Sequence, residues 1–169
     1  HCDSFGNLFV TGNFSNSLGG GISSNGNTDI FISKISSSGN ILWVKSIGGS
    51  LSDEGNSITT DASGNVYTTG YFNGTVDFDP GIGVHNLTSA GSKDIFISKI
   101  SSNGNFIWAI SLGSTSSDVG QYIHCDSFGN LFVTGNFSNS LGGGISSNGN
   151  TDIFISKISS SGNILWVKS

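Results

Sequence analysis

The sequence predicts an all-β fold of tandem four-stranded antiparallel meanders, and three observations support this fold class. Residues 1–46 return unchanged as residues 124–169, a shift of 123 positions. A weaker internal match divides that period into two unequal units, with shifts of 65 and 58 residues. Short runs rich in Val, Ile, Tyr, Phe and Thr recur between Gly-Asn pairs, whereas the apolar spacings of three and four that are typical of helices are absent.

Four strands are predicted in the most complete unit, in the order GNSITTD, NVYTTGYF, DIFISKIS and NFIWAISL. The first two are joined by DASGN and the last two by SSNGN, and each of these turns places Gly at the left-handed position of a tight hairpin. A long loop, Thr75–Lys93, joins the second strand to the third, and its counterpart in the next unit is shorter by seven residues. The four strands therefore form an antiparallel meander.

A four-stranded meander repeated in tandem is the sequence pattern of a β-propeller blade. The units predict a partial blade at residues 1–52, a complete blade at 53–117 and a near-complete blade at 118–169. A β-solenoid is the alternative, but its coils repeat at shorter intervals and need no tight hairpin twice per unit. Closed propellers have about four to eight blades, so an open array, an assembly of several chains and a longer parent protein all stay possible.

Large apolar side chains are expected to lie between neighbouring blades, because a single sheet has two faces and cannot cover both by itself. The predicted inter-blade packing residues are Phe72, Phe96, Trp108, Phe137, Phe154 and Trp166. Stacking of a ligand on the Trp rings is the alternative interpretation.

The motifs of the complete unit resemble a known family, the bacterial and archaeal β-propeller repeats called SBBP. The most specific segments are DASGNVYTTGYFNGTVDFDPG from Asp61 and DIFISKISSNGNFIWA from Asp94, and the resemblance extends over essentially the whole chain. The following unit lacks the VDFDPG stretch, which leaves a general role for that loop in doubt. The resemblance implies a blade-forming module of large secreted or surface proteins, with no catalytic site common to the family.

A calcium site is conceivable at Asp77 and Asp79, which would lie on one face of an extended VDFDPG segment. The stretch lacks the Asp-x-Asp-x-Asp-Gly run of an EF-hand, and solvated carboxylates on a loop need no metal to explain them. No other cofactor is expected.

Nucleophilic catalysis is not expected at His124 and Cys125, because adjacent residues of a strand point to opposite faces. The matching positions in the complete unit are both Thr, which could not perform the same chemistry. A disulfide between Cys2 and Cys125 is also not expected, because these residues occupy the same position in successive repeats, and stacked repeats do not bring equal points together.

Charge is scarce, since six Lys, no Arg and eleven acidic residues give a net charge of −5. Such a surface disfavours nucleic acid as a partner, and no run of about 18 apolar residues predicts a membrane span. We therefore expect a non-enzymatic structural repeat module of a secreted or cell-surface protein, with further copies of the same repeat as partners in an extracellular filament or adhesive stalk. The alternative is a propeller that binds glycans or another protein, with the Thr75–Lys93 loop as its recognition surface.

Overall fold

A computed structural model of the chain describes residues 1–19 and 21–169, which form strands and turns with no helix among them. No segment of this described part is therefore a helix that could cross a membrane. In chain order the strands are β1 (Leu8–Phe14), β2 (Ser17–Gly19), β3 (Ile22–Ser23), β4 (Asp29–Ile35), β5 (Ile41–Ile47), β6 (Glu54–Thr60), β7 (Val66–Phe72), β8 (Thr75–Asp77), β9 (Asn86–Thr88), β10 (Asp94–Ile100), β11 (Phe106–Leu112), β12 (Val119–Cys125), β13 (Leu131–Phe137), β14 (Ser140–Leu141), β15 (Ile145–Ser146), β16 (Asp152–Ile158) and β17 (Ile164–Lys168).

Three antiparallel sheets carry the fold, and they follow one another along the chain. The first sheet has the order β1-β4-β5, the second β6-β7-β10-β11 and the third β12-β13-β16-β17. The all-β fold of tandem antiparallel meanders predicted from the sequence is thereby confirmed. In the first sheet, a single bridge between Cys2 and Leu8 stands where β6 and β12 supply a whole strand to the other two sheets.

The tight turns between strands are held by side chains that bond to the backbone of the turn itself. Asp61 accepts hydrogen bonds through Oδ1 from the backbone N–H groups of Ser63 and Asn65, both at 2.9 Å, and Gly64 takes a φ of +77°. A short polar side chain that bonds its own backbone and a Gly with positive φ together close a hairpin without strain. The same Asp and Gly positions recur in the turns after Asp3 and Asp126.

The long connection between the second and third strands is more ordered than a loop. Where the sequence predicts a loop at Thr75–Lys93, β8 and β9 form a small antiparallel hairpin, in which the hydroxyls of Thr75 and Thr88 lie 2.9 Å apart. Similar pairs, β2 with β3 and β14 with β15, occupy the shorter connections of the other sheets. Strands of two or three residues are too short for an alternating pattern to reveal them.

Two hydrophobic cores lie between the sheets. The core between the first and second sheets includes Phe9, Ile30, Ile32, Phe72, Phe78 and Phe96. The core between the second and third sheets includes Tyr67, Ile95, Ile97, Leu131, Val133 and Phe137. The second sheet is thus covered on both faces, and for this reason five consecutive residues of β10, Asp94–Ser98, are all buried.

Candidate inter-sheet docking surface

Four of the six predicted packing residues lie in the cores between sheets. Phe72 and Phe96 both contact Phe78, with ring centroids 5.3 and 5.2 Å apart, in the core that the second sheet shares with the first. Phe137 and Phe154 are in edge-to-face contact at 6.5 Å in the core shared by the second and third sheets. These aromatic pairs contribute both buried area and a preferred ring geometry to each boundary.

The Trp residues connect each sheet to a turn of the next one. The indole N–H of Trp43 donates to the carbonyl oxygen of Ser102 at 3.1 Å, and that of Trp108 donates to Ser160 at 3.2 Å. Ser102 and Ser160 occupy the same place in the turn between the third and fourth strands of their sheets. Trp166 is the third member of this series, but its ring lies on a face that no sheet covers and is 37% exposed.

Two glycines bring the first strand of each sheet close to the preceding sheet. A β-carbon at Gly55 would overlap the hydroxyl oxygen of Thr11 and press against Ile30. At the next boundary, Gly120 meets Thr69 and Ile95 in the same way. The inner strands β6 and β12 are also joined directly, since the Asn56 side-chain amide donates to the carbonyl of Gly120 at 2.8 Å. Only a residue without a side chain permits this approach.

A buried Asp secures the connection that enters each later sheet. Asp53 accepts hydrogen bonds from the backbone N–H groups of Gly49 and Asn73, at 2.8 and 2.9 Å. Asp118 repeats this arrangement with Ser114 and Ser138, at 2.7 and 2.9 Å. The backbone N–H of each Asp in turn donates to a carbonyl of the preceding sheet. Each Asp therefore links two neighbouring sheets through the backbone.

A second buried Asp stands beside each of these links. Asp29 and Asp94 begin the equivalent strands β4 and β10, and the Oδ1 atom of each is buried without a hydrogen-bond partner among the described residues. Burial raises the pKa of Asp29 and of Asp94 above the ordinary value. The pKa of Asp53 is raised as well, mainly by burial and additionally by the charge of Asp29. These carboxyl groups thus make the boundaries between sheets sensitive to protonation.

The duplicated segment allows the exposed fractions of identical residues to be compared in two different surroundings. Ile30 is completely buried against the second sheet, whereas Ile153, its identical counterpart in the third sheet, is 78% exposed. On the opposite side of the fold, Leu131 is completely buried against the second sheet, whereas its counterpart Leu8 is 46% exposed. The local sequences are identical, so the difference in exposure comes from the surroundings. Ile153 lacks both a covering sheet and the strand partner that Ile47 provides for Ile30. Leu8 likewise lacks both a covering sheet and the full inner strand that β12 places beside Leu131.

Two surfaces of the fold have no neighbouring sheet among the described residues. The trailing face belongs to the third sheet and carries Thr134, Ile153, Ile155 and Trp166. The leading face belongs to the first sheet and carries Leu8, Val10 and Leu18. The trailing face contains a groove of about 520 Å³ lined by Thr134, Ile153, Phe154, Ile155 and Lys168.

The predicted calcium ligands hold their own loop together. Oδ1 of Asp77 accepts from the backbone N–H groups of Asp79 and His85 at 3.0 and 2.8 Å, and Oδ1 of Asp79 accepts from Gly81 at 2.8 Å. No group of three or more His, Cys, Asp or Glu side chains suited to a metal ion occurs in the described part of the chain. A cation at this position would therefore have to rely on these two carboxylates and on uncharged oxygen atoms.

His124 and Cys125 lie next to each other in β12, where the His side chain is exposed and the Cys side chain is half-buried. Burial raises the pKa of the Cys125 thiol to about 11, so this thiol is protonated at neutral pH and is a poor nucleophile. Both Cys2 and Cys125 are free thiols. This environment gives no support to a catalytic role.

Sequence reasoning missed the polar contacts of these boundaries. The Ser102 and Ser160 carbonyls are backbone groups, so no side-chain pattern could indicate them. The buried Asp residues did leave a signal, because Asp53 matches Asp118 and Asp94 matches Asp152 at fixed positions of the repeat. Their burial depends on the next sheet, which the sequence of one unit does not reveal.

Comparison with known proteins agrees with this architecture. An uncharacterized WD repeat-containing protein of Acanthamoeba polyphaga mimivirus is 33% identical over 120 residues, which is 63% of this chain and 9% of the relative. A regulatory protein, FlaEY of Caulobacter vibrioides, is 24% identical over 140 residues, which is 82% of this chain and 15% of the relative. The chain thus spans less than a sixth of either relative.

The family comparison identifies the repeat itself. Residues 42–79 match the SBBP family, described as a beta-propeller repeat, which confirms the resemblance seen in the sequence. This segment runs from β5 through the connection to the second sheet and on through β6, β7 and β8, so it includes the Asp53 link and Gly55. Together with the WD-repeat relative, the match indicates a repeat scaffold. Residues 42–79 of the chain are thus similar to an SBBP β-propeller repeat.

Proposed function

We propose that the chain is a non-enzymatic structural module of a secreted or cell-surface protein, and that serial packing of its sheets builds an extracellular filament or adhesive stalk. One observation carries this proposal: the second sheet buries apolar side chains against both of its neighbours, Phe96 against the first sheet and Ile95 and Ile97 against the third. Each sheet therefore covers its apolar face by contact with the next sheet. Modules of this kind gain stability from their neighbours and extend in series.

The composition supports a structural role outside the cell. Charge is low, Ser, Thr, Asn and Gly are abundant, and burial raises the pKa of the Cys125 thiol. An array of similar sheets needs few charged side chains, since its contacts are apolar faces and backbone hydrogen bonds. The extracellular location and the filament are proposals that rest on these properties and on the resemblance to surface proteins.

Electron microscopy of the native protein on its source cells tests the proposed filament. A regular axial repeat at the cell surface is expected. Isolated closed discs would contradict the filament, and labelling confined to the cell interior would contradict the extracellular location.

A binding propeller is the second candidate function, and one observation favours it. Phe5 and Phe128 stand at the tips of equivalent turns and are almost fully exposed, although aromatic rings are costly to leave in water. A pocket of about 580 Å³ beside Phe5 is lined with polar groups, among them Asp3, Lys34 and Asp61. An exposed ring beside polar side chains is an arrangement suited to a sugar.

A glycan array distinguishes the two functions. If the binding function holds, the wild-type chain binds a defined glycan saturably, and Phe5→Ser weakens this binding. Ser is the matched replacement, because Ser63 occupies the same position in the second sheet. Absence of saturable binding across the array would remove this candidate.

A further inference from the structure

We propose that the turns at residues 3–7, 61–65 and 126–130 form one continuous track that binds a neutral polysaccharide chain. These turns precede the equivalent strands β1, β7 and β13, so they lie at the same end of the three sheets. The inference deepens the second candidate function and rests on it, because it names the class of glycan and adds a second cleft to the one beside Phe5.

The two clefts of the track share a wall. The first cleft, of about 580 Å³, lies between the turns at residues 3–7 and 61–65, and the second, of about 390 Å³, lies between the turns at 61–65 and 126–130. Residues 61–63 line both clefts. The second cleft is formed by two sheets that pack on each other inside the fold. A ligand that crosses the middle turn can therefore occupy both clefts at once.

An exposed aromatic ring stands at each cleft. Phe5 lines the first cleft and is 82% exposed, and Phe128 lines the second and is 88% exposed. The second sheet follows Phe5 and precedes Phe128, so a neighbouring sheet on either side leaves the ring uncovered. Stacking on the apolar face of a sugar would remove this surface from water. The middle turn has Ser63 at the equivalent position, so no ring separates the two clefts.

Carboxylates held in place beside the rings can accept hydrogen bonds from sugar hydroxyls. The Asp126 carboxylate accepts from the N–H groups of Phe128 and Asn130 at 2.9 and 2.8 Å and from the Asn130 side-chain amide at 3.0 Å. A carboxylate has about four lone-pair sites, so a site remains for a ligand. Asp3 has the same set of bonds in the first cleft. The side-chain hydrogen bonds from Asn7 and Asn130 lower the pKa of Asp3 and of Asp126, so both are ionised at neutral pH.

The charge of the clefts favours a neutral polymer. Each cleft contains two carboxylates, those of Asp3 and Asp61 in the first and those of Asp61 and Asp126 in the second. Lys34 lines the first cleft, whereas the described residues that line the second include no Lys. Such a surface repels an acidic polysaccharide, while a neutral chain supplies the hydroxyl donors that ionised carboxylates bind well.

The spacing of the clefts favours a polymer over a single sugar. Packed sheets lie about 10 Å apart, so Phe5 and Phe128, on the first and third sheets, are separated by about 20 Å. One sugar ring cannot reach both, whereas a chain of sugars can. Occupation of the second cleft then becomes intramolecular, and the affinity for a long chain rises above the affinity for a short one.

Affinity electrophoresis of the full chain in native gels tests the class of ligand. The gels contain hydroxyethylcellulose, galactomannan or starch as neutral polymers, and carboxymethylcellulose as the acidic one. At least one neutral polymer should retard the protein, and carboxymethylcellulose should not. Absence of retardation by every neutral polymer, or equal retardation by hydroxyethylcellulose and carboxymethylcellulose, would overturn the inference.

Calorimetric titration with the polymer that binds, and with its disaccharide fragment, tests the two clefts. The polymer should bind at least about a hundredfold more tightly than the fragment. Phe5→Ser and Phe128→Ser should each weaken polymer binding about tenfold, the effect of one Phe ring left in water. Ile82→Ser is the matched control and should bind like the wild type, because Ile82 is fully exposed and lines neither cleft. Circular dichroism verifies that each variant is folded.

The outcomes separate the track from the candidate function on which it rests. If the fragment binds as tightly as the polymer and Phe128→Ser has no effect while Phe5→Ser does, the track is overturned and a single glycan site beside Phe5 survives. Absence of glycan binding of any kind would remove both. Length-dependent affinity that both Phe substitutions reduce would establish the track.

Discussion

The indole N–H of Trp108 donates to the carbonyl oxygen of Ser160 across the boundary between the second and third sheets, at a distance of 3.2 Å. Trp43 makes the same contact at the preceding boundary, whereas Trp166 lies on an uncovered face. The same position of the repeat is therefore occupied by two Trp residues that bond to the next sheet and by a third Trp that has no next sheet. This arrangement allows each contact to be tested against an internal control.

Trp108→Phe should lower the free energy of unfolding by about 1 to 2 kcal/mol, because the hydrogen bond and part of the buried ring are lost. Urea denaturation at low protein concentration measures the change. Trp166→Phe is the control and should alter the free energy by no more than about 0.5 kcal/mol. Equal effects of the two substitutions would show that the contact with Ser160 contributes nothing to stability.

Gly120→Ala should destabilise the chain by about 1 to 3 kcal/mol, since the new methyl group overlaps Thr69 and Ile95. Gly149→Ala is the matched control, because a β-carbon at Gly149 meets no atom within 4 Å. Thermal unfolding of both variants gives the comparison. If Gly120→Ala were as stable as Gly149→Ala, β12 would not approach the second sheet as closely as described.

Two Asp residues should respond to pH in opposite directions. Burial raises the pKa of Asp29, so the stability it contributes is full below about pH 3.9, the usual value in an unfolded chain, and is lost as the pH rises through the folded pKa. Burial also acts to raise the pKa of Asp61, but hydrogen bonds from Asn65, Tyr67 and Ser63 outweigh it and the pKa is lowered. The contribution of Asp61 is therefore present above about pH 3.9 and is lost as the pH falls through the folded pKa.

Asn variants make this difference measurable. The free energy of unfolding of the wild type minus that of Asp29→Asn should decrease as the pH rises from acid to neutral. The corresponding difference for Asp61→Asn should increase over the same range. Urea denaturation at several pH values gives both curves, and curves of the same sign would contradict the environments described for these carboxyl groups.

Much of the fold could be predicted because its signals are local. Short runs of β-branched and aromatic residues gave the main strands, and the Asp and Gly positions gave the hairpins. Phe72 and Phe96 could be assigned to packing because a sheet with two apolar faces needs two neighbours. The small hairpins within the long connections were missed, because their strands have only two or three residues.

The docking surface could be predicted only in part, since it depends on residues far apart in the chain. Leu8 and Leu131 have identical local sequences and opposite burial, so no local pattern could distinguish them. The acceptors for Trp43 and Trp108 are backbone carbonyls 59 and 52 residues away. Such contacts follow from the offset between sheets, which only the three-dimensional structure defines.

Asp77→Ala should lower the free energy of unfolding by about 1 to 2 kcal/mol, because the N–H groups of Asp79 and His85 lose a charged acceptor. Thermal unfolding with calcium and with a chelator examines the metal hypothesis in the same experiment. We expect equal melting temperatures in the two conditions, because both carboxylates already bond to loop amides. A calcium-dependent rise that disappears in Asp77→Ala would instead establish a calcium site in this loop.

Hydrogen exchange measured by NMR on the full chain tests most directly whether neighbouring sheets stabilise one another. At low concentration, the backbone amides of β7 and β10 should exchange most slowly, because the second sheet alone is covered on both faces. The amides of β1 and β16 should exchange faster, because the first and third sheets each pack against one neighbour among the described residues. Equal protection of all three sheets would contradict the account, because covering by a neighbour would then make no difference to stability.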